Sequence, residues 1–497
     1  MSSLSLSLFF GHHDSSVTIG DENEILLHLE AERYFREKHC RIKTLEKMER
    51  LAAGALDYIN GDISEVDRLY LSTLSNPLPG GKIKLLGRNL EPQITTHHNS
   101  HIGTVLDHGF NKALIIVADG GSEDGSTKVY LHDTDGFIFL LDDLGETPAN
   151  GKFYGSLTML VIEPDFLKAH GWDSGKTMGL SAYGSYSEDL VDKLKEYTPK
   201  MLWGNVLDVE TALDFFNLSN DYRMPWSDAR RMDLAHSGQA FWVESFVEHL
   251  TKYTKEVDNV VMVGGCALNV LLNSKLIDSG LFENIHIGPA SGDCGQSIGN
   301  ILFNERKVKC HGPFLGRGFG ELGQYPDSLT EDLLSGKLVA WYQGRSEIGP
   351  RALGHRSILG LPNSEKQRDR LNKLKGREPY RPIAPMVLQD RFKDFFETEQ
   401  LSPFMSFAPE AKEITQKLAP AIVHADGTSR LQTLSKEVNP ILHKALSDIG
   451  EVTGAPILMN TSFNMAGEAM VDTPDDALRS FRKSGLDVMY INGERFE

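Results

Sequence analysis

The hydrophobic pattern in the first third of the chain predicts two copies of one strand-and-turn arrangement. From Leu4 to Glu30, an apolar strand, LSLSLFF, runs into a polar turn, GHHDSS, and a second extended stretch, VTIGDENEILLHLEAE, is broken by a turn at Gly20–Glu24. From Ala113 the same order returns as ALIIVAD, GGSEDGS and TKVYLHDTDGFIFLL. Short apolar runs separated by Gly, Asp and Ser are typical of strands joined by tight turns. By this pattern alone, two unrelated hairpins explain the segments as well as an internal duplication does.

The pattern that follows predicts an α/β protein. Residues 188–256 are predicted to be mostly helical, because their apolar positions recur at helical spacing. A buried strand, NVVMV (259–263), then leads into GGCALN and a helix. A glycine-rich region at 314–336 predicts a connection between two domains, residues 1–313 and 337–497. Strands and helices alternate in the second domain, which is the order of an α/β fold.

Composition narrows the class of protein. The chain has 497 residues and a net charge of -18, which argues against non-specific binding of polyanions over its whole surface. Its four cysteines lie far apart without CxxC spacing, so we expect reduced thiols rather than disulfides or a zinc cage. No apolar run approaches the roughly 18 residues of a membrane span, and the N-terminus lacks the basic region of a secretory signal. We therefore expect a cytoplasmic protein with no membrane partner.

Against this acidic background, one stretch from Gly344 to Pro385 places basic residues among Gly and Pro. They include Arg345, Arg351, Arg356, Lys375, Arg377 and Arg381. Clustered guanidinium groups beside glycine-rich backbone suit an anionic phosphate or carboxylate ligand. The middle of the stretch has a simpler explanation as a solvated helical face, since Asp369 and Lys373 are spaced to pair. Its two ends hold their arginines on short rigid turns, Gly-Pro-Arg and Tyr-Arg-Pro, so we favour anion binding there.

Two histidines and two aspartates form a candidate metal site. His97 and His101 are four residues apart in the predicted helix HHNSHIGTVLDHGF (97–110), so both imidazoles lie on one face. The HExxH pattern is absent, which excludes a zincin. Asp119 is the last residue of the predicted strand ALIIVAD, and Asp293 comes shortly after the predicted strand NIHIGP. Strand ends face the site in such folds. Histidines with carboxylates suit Fe, Mn or Zn. The alternatives are surface histidines on an amphipathic helix and a helix-capping role for Asp293.

Glycine pairs after the predicted strands ALIIVAD and NVVMV predict a nucleotide site in the N-terminal domain. A strand followed by Gly-Gly and a helix lets backbone N–H groups approach a nucleotide closely. Gly175-Lys176 is not a Walker A loop, because the leading glycine of that pattern is missing. The predicted nucleotide-binding residues are Gly120, Gly121, Lys176, Gly264, Gly265 and Asn269.

Motifs spread over almost the whole chain resemble the O-carbamoyltransferase family. They are HHDSS (12–16), ERYFREKH (32–39), HHNSH (97–101), ADGGSED (118–124), GKTMGLSAYG (175–184), GGCALN (264–269), GPASGDCG (288–295), GPRALGHRS (349–357), KGREPYRPIAP (375–385), DGTSRLQT (426–433) and NTSFN (460–464). The resemblance implies an N-terminal domain of the actin-like ATPase superfold, which is a duplicated ribonuclease-H-like fold. It also implies a YrdC-like α/β domain at the C-terminus.

The resemblance further implies a two-step reaction. The C-terminal domain would convert carbamoyl phosphate and ATP, the latter with Mg²⁺, into carbamoyl-adenylate, and an acceptor hydroxyl would attack this intermediate beside a metal, with Fe or Mn favoured, in the N-terminal domain. By matching motif, the metal ligands are His97, His101, Asp119 and Asp293. The residues that contact carbamoyl phosphate and ATP are Arg351, Arg356, Lys375, Arg381, Arg430, Asn460, Ser462 and Asn464. Candidates for the general base are His13, Asp14 and His39, which lie on or near loops of the first strand-and-turn segment.

The acceptor is left open by the sequence. A hydroxyl of a small natural product and a hydroxymethylated nucleotide or DNA both fit, and we keep open whether the chain forms a homodimer. Two other functions compete. A tRNA threonylcarbamoylation enzyme is disfavoured by the acidic chain, and a sugar-kinase-like ATP-binding protein of the actin-like superfold gives the arginine-rich module no role. The products of ATP turnover distinguish the carbamoyltransferase from the kinase-like protein: the first yields AMP and pyrophosphate, and the second yields ADP.

Overall fold

The structure is a computed structural model that describes residues 3–73, 81–165, 168–169, 173–202, 208–255, 257–321 and 323–497. The chain divides into two compact units. The first unit combines Met1–Asp107 with Asp293–Glu497, and the second unit is His108–Gly292. The predicted connection at 314–336 lies within the first unit and contains a helix, Ser328–Leu334.

The first unit contains a five-stranded sheet with the order β3-β2-β1-β4-β7. Its strands are β1 (Leu4–Phe10), β2 (Ser16–Gly20), β3 (Ile25–Glu30), β4 (Val66–Thr73) and β7 (Pro92–Ile94), while β5 (Ile83–Leu85) and β6 (Arg88–Leu90) form a separate hairpin. The helices beside this sheet are α1 (Ala31–Phe35), α2 (Leu45–Tyr58), α3 (His97–Gly103) and α10 (Gln296–Asn304).

Both faces of this sheet are buried, which the alternating sequence of β1 explains. Leu6 and Leu8 pack into an apolar core with Met48 and Leu51 of α2. The serines between them point the other way, because successive side chains of a strand face opposite sides. Ser7 there accepts a hydrogen bond at 3.1 Å from the amide of Asn300 on α10. The sheet therefore has an apolar face under α2 and a polar, hydrogen-bonded face under α10.

The second unit repeats the strand order of the first sheet. Its sheet runs β10-β9-β8-β11-β12. Its strands are β8 (Ala113–Ser122), β9 (Gly125–His132), β10 (Ile138–Asp143), β11 (Asn259–Val263) and β12 (Asn284–His286), and its helices include α4 (Gly151–Val161), α5 (Ser174–Ser181), α6 (Glu188–Leu202), α7 (Val209–Phe216), α8 (Ala229–Leu250) and α9 (Val270–Asp278).

Strand directions confirm the duplication. In each sheet the first three strands form an antiparallel meander, and the first strand also pairs in parallel with the fourth, which pairs in parallel with the fifth. The same order and the same directions in two segments of one chain are the duplicated ribonuclease-H-like arrangement of the actin-like superfold. The two predicted strand-and-turn copies are therefore one duplicated fold, and the alternative of unrelated hairpins is wrong.

The C-terminal part of the first unit holds a seven-stranded mixed sheet of order β16-β15-β17-β14-β13-β18-β19. Its strands are β13 (Val339–Tyr342), β14 (Arg356–Gly360), β15 (Ala384–Leu388), β16 (Gln432–Leu434), β17 (Ile457–Ser462), β18 (Val488–Ile491) and β19 (Glu494–Phe496), and its helices are α11 (Ser328–Leu334), α12 (Glu365–Leu374), α13 (Glu413–Leu418), α14 (Pro440–Thr453) and α15 (Pro474–Ser484). Strand β13, sequence VAWY, is fully buried on both faces, since Val339 and Trp341 enter one core and Ala340 and Tyr342 the other. The predicted α/β alternation is confirmed, and the YrdC-like relationship stays a prediction.

Two details of the sequence interpretation need correction. The helix predicted over 97–110 ends at Gly103, and the side chain of His108 accepts the N–H of Phe110 at 2.9 Å, a local bond of the kind that competes with a helix. The predicted GGSEDGS loop begins later than expected, because β8 continues through Ser122. Across the described ranges, we find no helix of the length and apolar character needed to cross a bilayer.

Candidate active site

Three of the four predicted metal ligands converge in the first unit. His97 and His101 lie on α3 and are fully buried, and Asp293 is 7% exposed. The two Nε2 atoms are 3.1 Å apart. Oδ1 of Asp293 is 3.5 Å from Nε2 of His97 and 3.4 Å from Nε2 of His101. The surface-histidine alternative is therefore wrong. The capping alternative for Asp293 is wrong as well, because the N-cap of α10 is Gly295.

A contact between two glycines places α3 beside α10. A Cβ on Gly299 would lie 1.7 Å from the carbonyl oxygen of Ser100, and a Cβ on Gly103 would lie 2.0 Å from that of Gly299. Neither position can carry a side chain while the helices keep this spacing. Gln296, at the start of α10, donates to the carbonyl of His97 at 3.2 Å. The close helix crossing therefore sets the position of both histidines relative to Asp293.

The fourth predicted ligand and most of the predicted nucleotide-binding residues lie in the second unit. Asp119 lies on β8 and its Oδ1 accepts the N–H of Gly120 at 2.6 Å. Gly264 follows the neighbouring parallel strand β11 with φ of 95°, and a Cβ there would lie 2.3 Å from the carbonyl oxygen of Ala118. A Cβ on Gly265 would lie 3.2 Å from Oδ1 of Asp119. The structure thus brings the glycine pairs of the two strands together at one sheet edge.

The other two predicted nucleotide contacts have mainly local partners. Asn269 caps α9, where its Oδ1 accepts the N–H of Leu272 at 3.1 Å, and its amide donates to Gln239 at 3.0 Å. Lys176 lies on α5, and its ammonium is 2.9 Å from Asp173. The roles of these residues toward a nucleotide stay predictions, as does the role of Asp119 toward a metal.

The three candidates for the general base form a cluster in the first unit. Nδ1 of His13 is 2.8 Å from Oδ2 of Asp14, and Nδ1 of His39 is 3.9 Å from Oδ1 of Asp14. Burial opposes ionisation of Asp14, but the two imidazoles outweigh it and hold the pKa of that carboxyl well below its ordinary value. Glu32, which the sequence analysis did not select, belongs to the same cluster and accepts the N–H of His39 at 2.9 Å. An ionised carboxylate between two imidazoles can orient either of them as a base.

A cluster of cations dominates the C-terminal part of the first unit. It comprises Arg351, Lys375, Arg377, Arg381 and Arg430, which we call the cationic cluster. Burial, followed by repulsion from Arg381, lowers the pKa of Arg351 to about 10 and that of Arg377 to about 9. Burial and the neighbouring cations also hold the pKa values of Lys375 and Arg430 well below their ordinary values. Lys375 is buried and the four arginines are half-buried, and cations that lower one another's pKa values in this way call for an anion.

The cationic cluster contacts the NTSFN turn (460–464) through Lys375. The ammonium of Lys375 donates to the carbonyl of Asn464 at 2.9 Å, to Oδ1 of Asn464 at 3.0 Å, and to the carbonyl of Ser462. Arg377 donates to Asn372, next to the same helix end, and its Nη1 is 3.5 Å from Thr461. Arg377 is not among the residues expected from the family resemblance to bind phosphate, although the density of arginine in the sequence already pointed to it.

Among the residues predicted to bind carbamoyl phosphate and ATP, Arg430 and Asn460 have unpaired buried atoms, whereas Arg356 donates to backbone carbonyls of the protein. In the described part of the chain, Nε of Arg430 and Oδ1 of Asn460 are buried without a hydrogen-bond partner, although Nδ2 of Asn460 donates to Gln432 at 2.7 Å. Arg356, in contrast, is fully buried and donates to the backbone carbonyls of Gln343 at 2.7 Å and Gly344 at 2.9 Å. Its guanidinium lies 3.6 Å from the centre of the Tyr342 ring. The guanidinium of Arg356 is therefore used to bond the protein's own backbone, and Arg356 is not part of the cationic cluster.

Two family models together match most of the chain. Residues 89–302 match the family model described as Carbamoyltransferase N-terminus, and residues 330–497 match Carbamoyltransferase C-terminus. Nodulation protein NolNO of Sinorhizobium fredii is 30% identical over 545 residues, which cover 96% of this chain and 78% of that protein. Nodulation protein NolO of Bradyrhizobium diazoefficiens is 31% identical over 434 residues, which cover 80% and 77%.

Solved structures give only a distant likeness. A crystal structure of full-length HypF in a phosphate- and nucleotide-bound form matches with a TM-score of 0.34 and 14% identity, covering 61% of this chain and 47% of that one. A similarity this low carries no argument about the site.

Proposed function

Because the chain belongs to the carbamoyltransferase family, we propose that it makes carbamoyl-adenylate from carbamoyl phosphate and ATP and then transfers the carbamoyl group to an acceptor hydroxyl. The observation that carries the donor half of the proposal is the cationic cluster. Carbamoyl phosphate and ATP bring several negative charges to one place, so their reaction needs fixed cations that offset the repulsion. The cationic cluster supplies this positive charge.

The donor step releases two phosphate products. One water is consumed as the phosphate of carbamoyl phosphate leaves, and the resulting carbamate oxygen attacks the α-phosphorus of ATP while the bond to pyrophosphate breaks. Arg351 and Arg381 would bind phosphate oxygens, and Lys375 would offset charge on the leaving group. The buried Oδ1 of Asn460 would accept an N–H of the carbamoyl group, which satisfies an acceptor that the described residues leave unpaired.

In the transfer step, the cluster around Asp14 would supply the general base. His13 or His39 would take the proton of the acceptor hydroxyl, while Asp14 holds the imidazole in place. The hydroxyl oxygen then bonds to the carbamoyl carbon, and AMP leaves with the oxygen that joined it to that carbon. The acceptor itself would be a small natural-product hydroxyl or a hydroxymethylated nucleotide or DNA.

The residues at the metal site fit a divalent ion. Ligand atoms bound to one metal at about 2.0–2.2 Å lie about 3 Å apart, and the separations of 3.1 to 3.5 Å between His97, His101 and Asp293 are close to that value. Two imidazoles and a carboxylate favour Fe or Mn, and we propose Asp119 as the fourth ligand. Such an ion would supply Lewis-acid polarisation of the group under attack.

The proposal is tested by incubating the protein with ATP, Mg²⁺ and carbamoyl phosphate without any acceptor, followed by mass spectrometry. We expect carbamoyl-adenylate and pyrophosphate, and we expect Arg381→Ala to lose both. Arg370→Ala is the matched control, since Arg370 lies in the same stretch but bonds to Asp487 at 2.6 Å. Formation of ADP, or products that do not depend on carbamoyl phosphate, would refute the proposed donor chemistry.

A further inference from the structure

A buried ion pair at the junction of β3 and α1 bonds to the loop that carries Arg351. Glu30, at the end of β3, is 7% exposed, and Arg33 on α1 is 4% exposed. Nε of Arg33 is 3.1 Å from Oε2 of Glu30. The N–H of Gly349 donates to Oε1 of Glu30 at 2.8 Å, and Nη2 of Arg33 donates to the carbonyl of Gly349 at 2.5 Å. Both backbone polar groups of Gly349 are thus bound by one ion pair.

The loop is also closed from within. Oε1 of Glu347 accepts the N–H groups of Leu353 at 2.6 Å and of Arg356 at 3.3 Å. Arg33 donates through Nη1 to the carbonyl of Glu347. Gly349 has φ of 85°, a left-handed conformation that favours glycine. Residues 347–356 therefore form a loop fixed at its base and at Gly349, and Arg351 follows Gly349 by two residues.

The segment that holds this loop also faces the cluster around Asp14. Glu32 directly precedes Arg33 and accepts the N–H of His39 at 2.9 Å. Lys38, directly before His39, lies near enough to Lys375 that its charge contributes to lowering the pKa of that lysine. The segment 32–39 therefore contains a contact to the general-base candidate His39 and carries a lysine whose charge acts on the cationic cluster.

We propose that the Glu30–Arg33 ion pair is a positioning device for Arg351. It fixes Gly349 so that the guanidinium of Arg351 enters the cationic cluster and binds the phosphoryl group of the donor. The inference rests on the proposed function for the identity of that donor. Arginine is required at position 33, because only a guanidinium can donate to the carbonyls of Glu347 and Gly349 while it faces Glu30.

The test is a double-mutant cycle on phosphate affinity. Arg33→Lys, Arg351→Ala and the double variant are titrated with inorganic phosphate by calorimetry. We expect Arg33→Lys alone to weaken binding about tenfold or more, as for the loss of a charge-assisted contact. In the Arg351→Ala background the same change should have no further effect, because Arg33 acts through Arg351. Arg36→Lys is the control, since Arg36 donates from the same segment to the carbonyl of Met470.

Each outcome decides the inference. Additive losses in the cycle, or unchanged phosphate affinity in Arg33→Lys, would overturn it, because a purely structural residue does not act through Arg351. If Arg33→Lys does not fold, Glu30→Gln takes its place in the cycle with the same expectation. Phosphate titration needs no turnover, so a protein that binds phosphate but makes no carbamoyl-adenylate refutes the proposed function and leaves the positioning role standing. Wild-type protein that binds no phosphate overturns the positioning role, and formation of carbamoyl-adenylate still decides the proposed function separately.

Discussion

The ammonium of Lys375 lies 2.9 Å from the backbone carbonyl of Asn464 and 3.0 Å from its side-chain oxygen. This contact joins the end of α12 to the turn after β17, two segments far apart in the sequence. Burial and the charges of Arg377 and Arg381 lower the pKa of this lysine, so a bound anion would stabilise its ammonium form. Lys375 is therefore the residue through which the basic stretch and the NTSFN turn become one site.

Replacing Lys375 should separate activity from folding. We expect Lys375→Met to lower acceptor-independent pyrophosphate release by about ten- to a hundredfold, the effect of losing one charge-assisted contact. The thermal midpoint should fall little, because the change also removes a cation that is costly to bury. Steady-state kinetics and thermal unfolding measure the two effects. Lys373→Met, on the exposed side of the same helix, is the control, and equal losses in both variants would contradict the assignment.

The metal site should be separable from the donor site. We expect His97→Ala to lose bound Fe or Mn by elemental analysis while it retains acceptor-independent pyrophosphate release within about twofold, since the two sites use different residues. His249→Ala, whose imidazole bonds at 2.6 Å to the carbonyl of Ser245 on α8, should retain the metal. A parallel loss of metal and of carbamoyl-adenylate formation in His97→Ala would show that the two sites are not independent.

The glycine contact behind the metal site should be intolerant of any side chain. We expect Gly299→Ala to lower the thermal midpoint and the metal content together, because its Cβ would lie 1.7 Å from the carbonyl of Ser100 and would force α3 away. Gly175→Ala is the control, since a Cβ there meets no atom within 4 Å. A stable Gly299→Ala protein with full metal content would contradict the account of how α3 is positioned.

Much of the fold followed from local sequence, and the details of the site did not. The two apolar strands before GHHDSS and GGSEDGS predicted two similar strand-and-turn segments, because alternation and turns are local signals. Only the pairing of the strands showed that the two segments are copies of one fold. The position of α3 depends on the close approach of Gly103 and Ser100 to Gly299, which is distant in the sequence. Likewise, Arg356 and Arg377 look alike in the sequence, but one guanidinium binds carbonyls and the other faces fellow cations. Only tertiary packing distinguishes these two environments.

Acid should destabilise the protein through buried His355. This imidazole stacks on Phe314 with ring centres 3.6 Å apart, and burial lowers its pKa from 6.5 to about 4. Between these values the unfolded state binds more protons than the folded state, so stability falls as the pH drops from about 6.5 to about 4 and this group causes no further loss below that. The expected loss from this group is about 3 kcal/mol.

Thermal unfolding of wild-type protein and His355→Gln between pH 7 and pH 4 checks this effect. Gln keeps a donor for the carbonyl of Arg345, which His355 contacts at 2.6 Å. We expect the midpoint of the variant to fall less steeply with acid than that of the wild type. Identical pH dependence in the two proteins would show that His355 does not carry the effect.

The most direct test of the central claim is isotope exchange between labelled pyrophosphate and ATP without an acceptor. Reversible formation of carbamoyl-adenylate in the C-terminal part predicts exchange that requires carbamoyl phosphate, persists in His97→Ala and disappears in Arg381→Ala. Exchange that proceeds without carbamoyl phosphate, or exchange of labelled ADP rather than pyrophosphate into ATP, would contradict the claim.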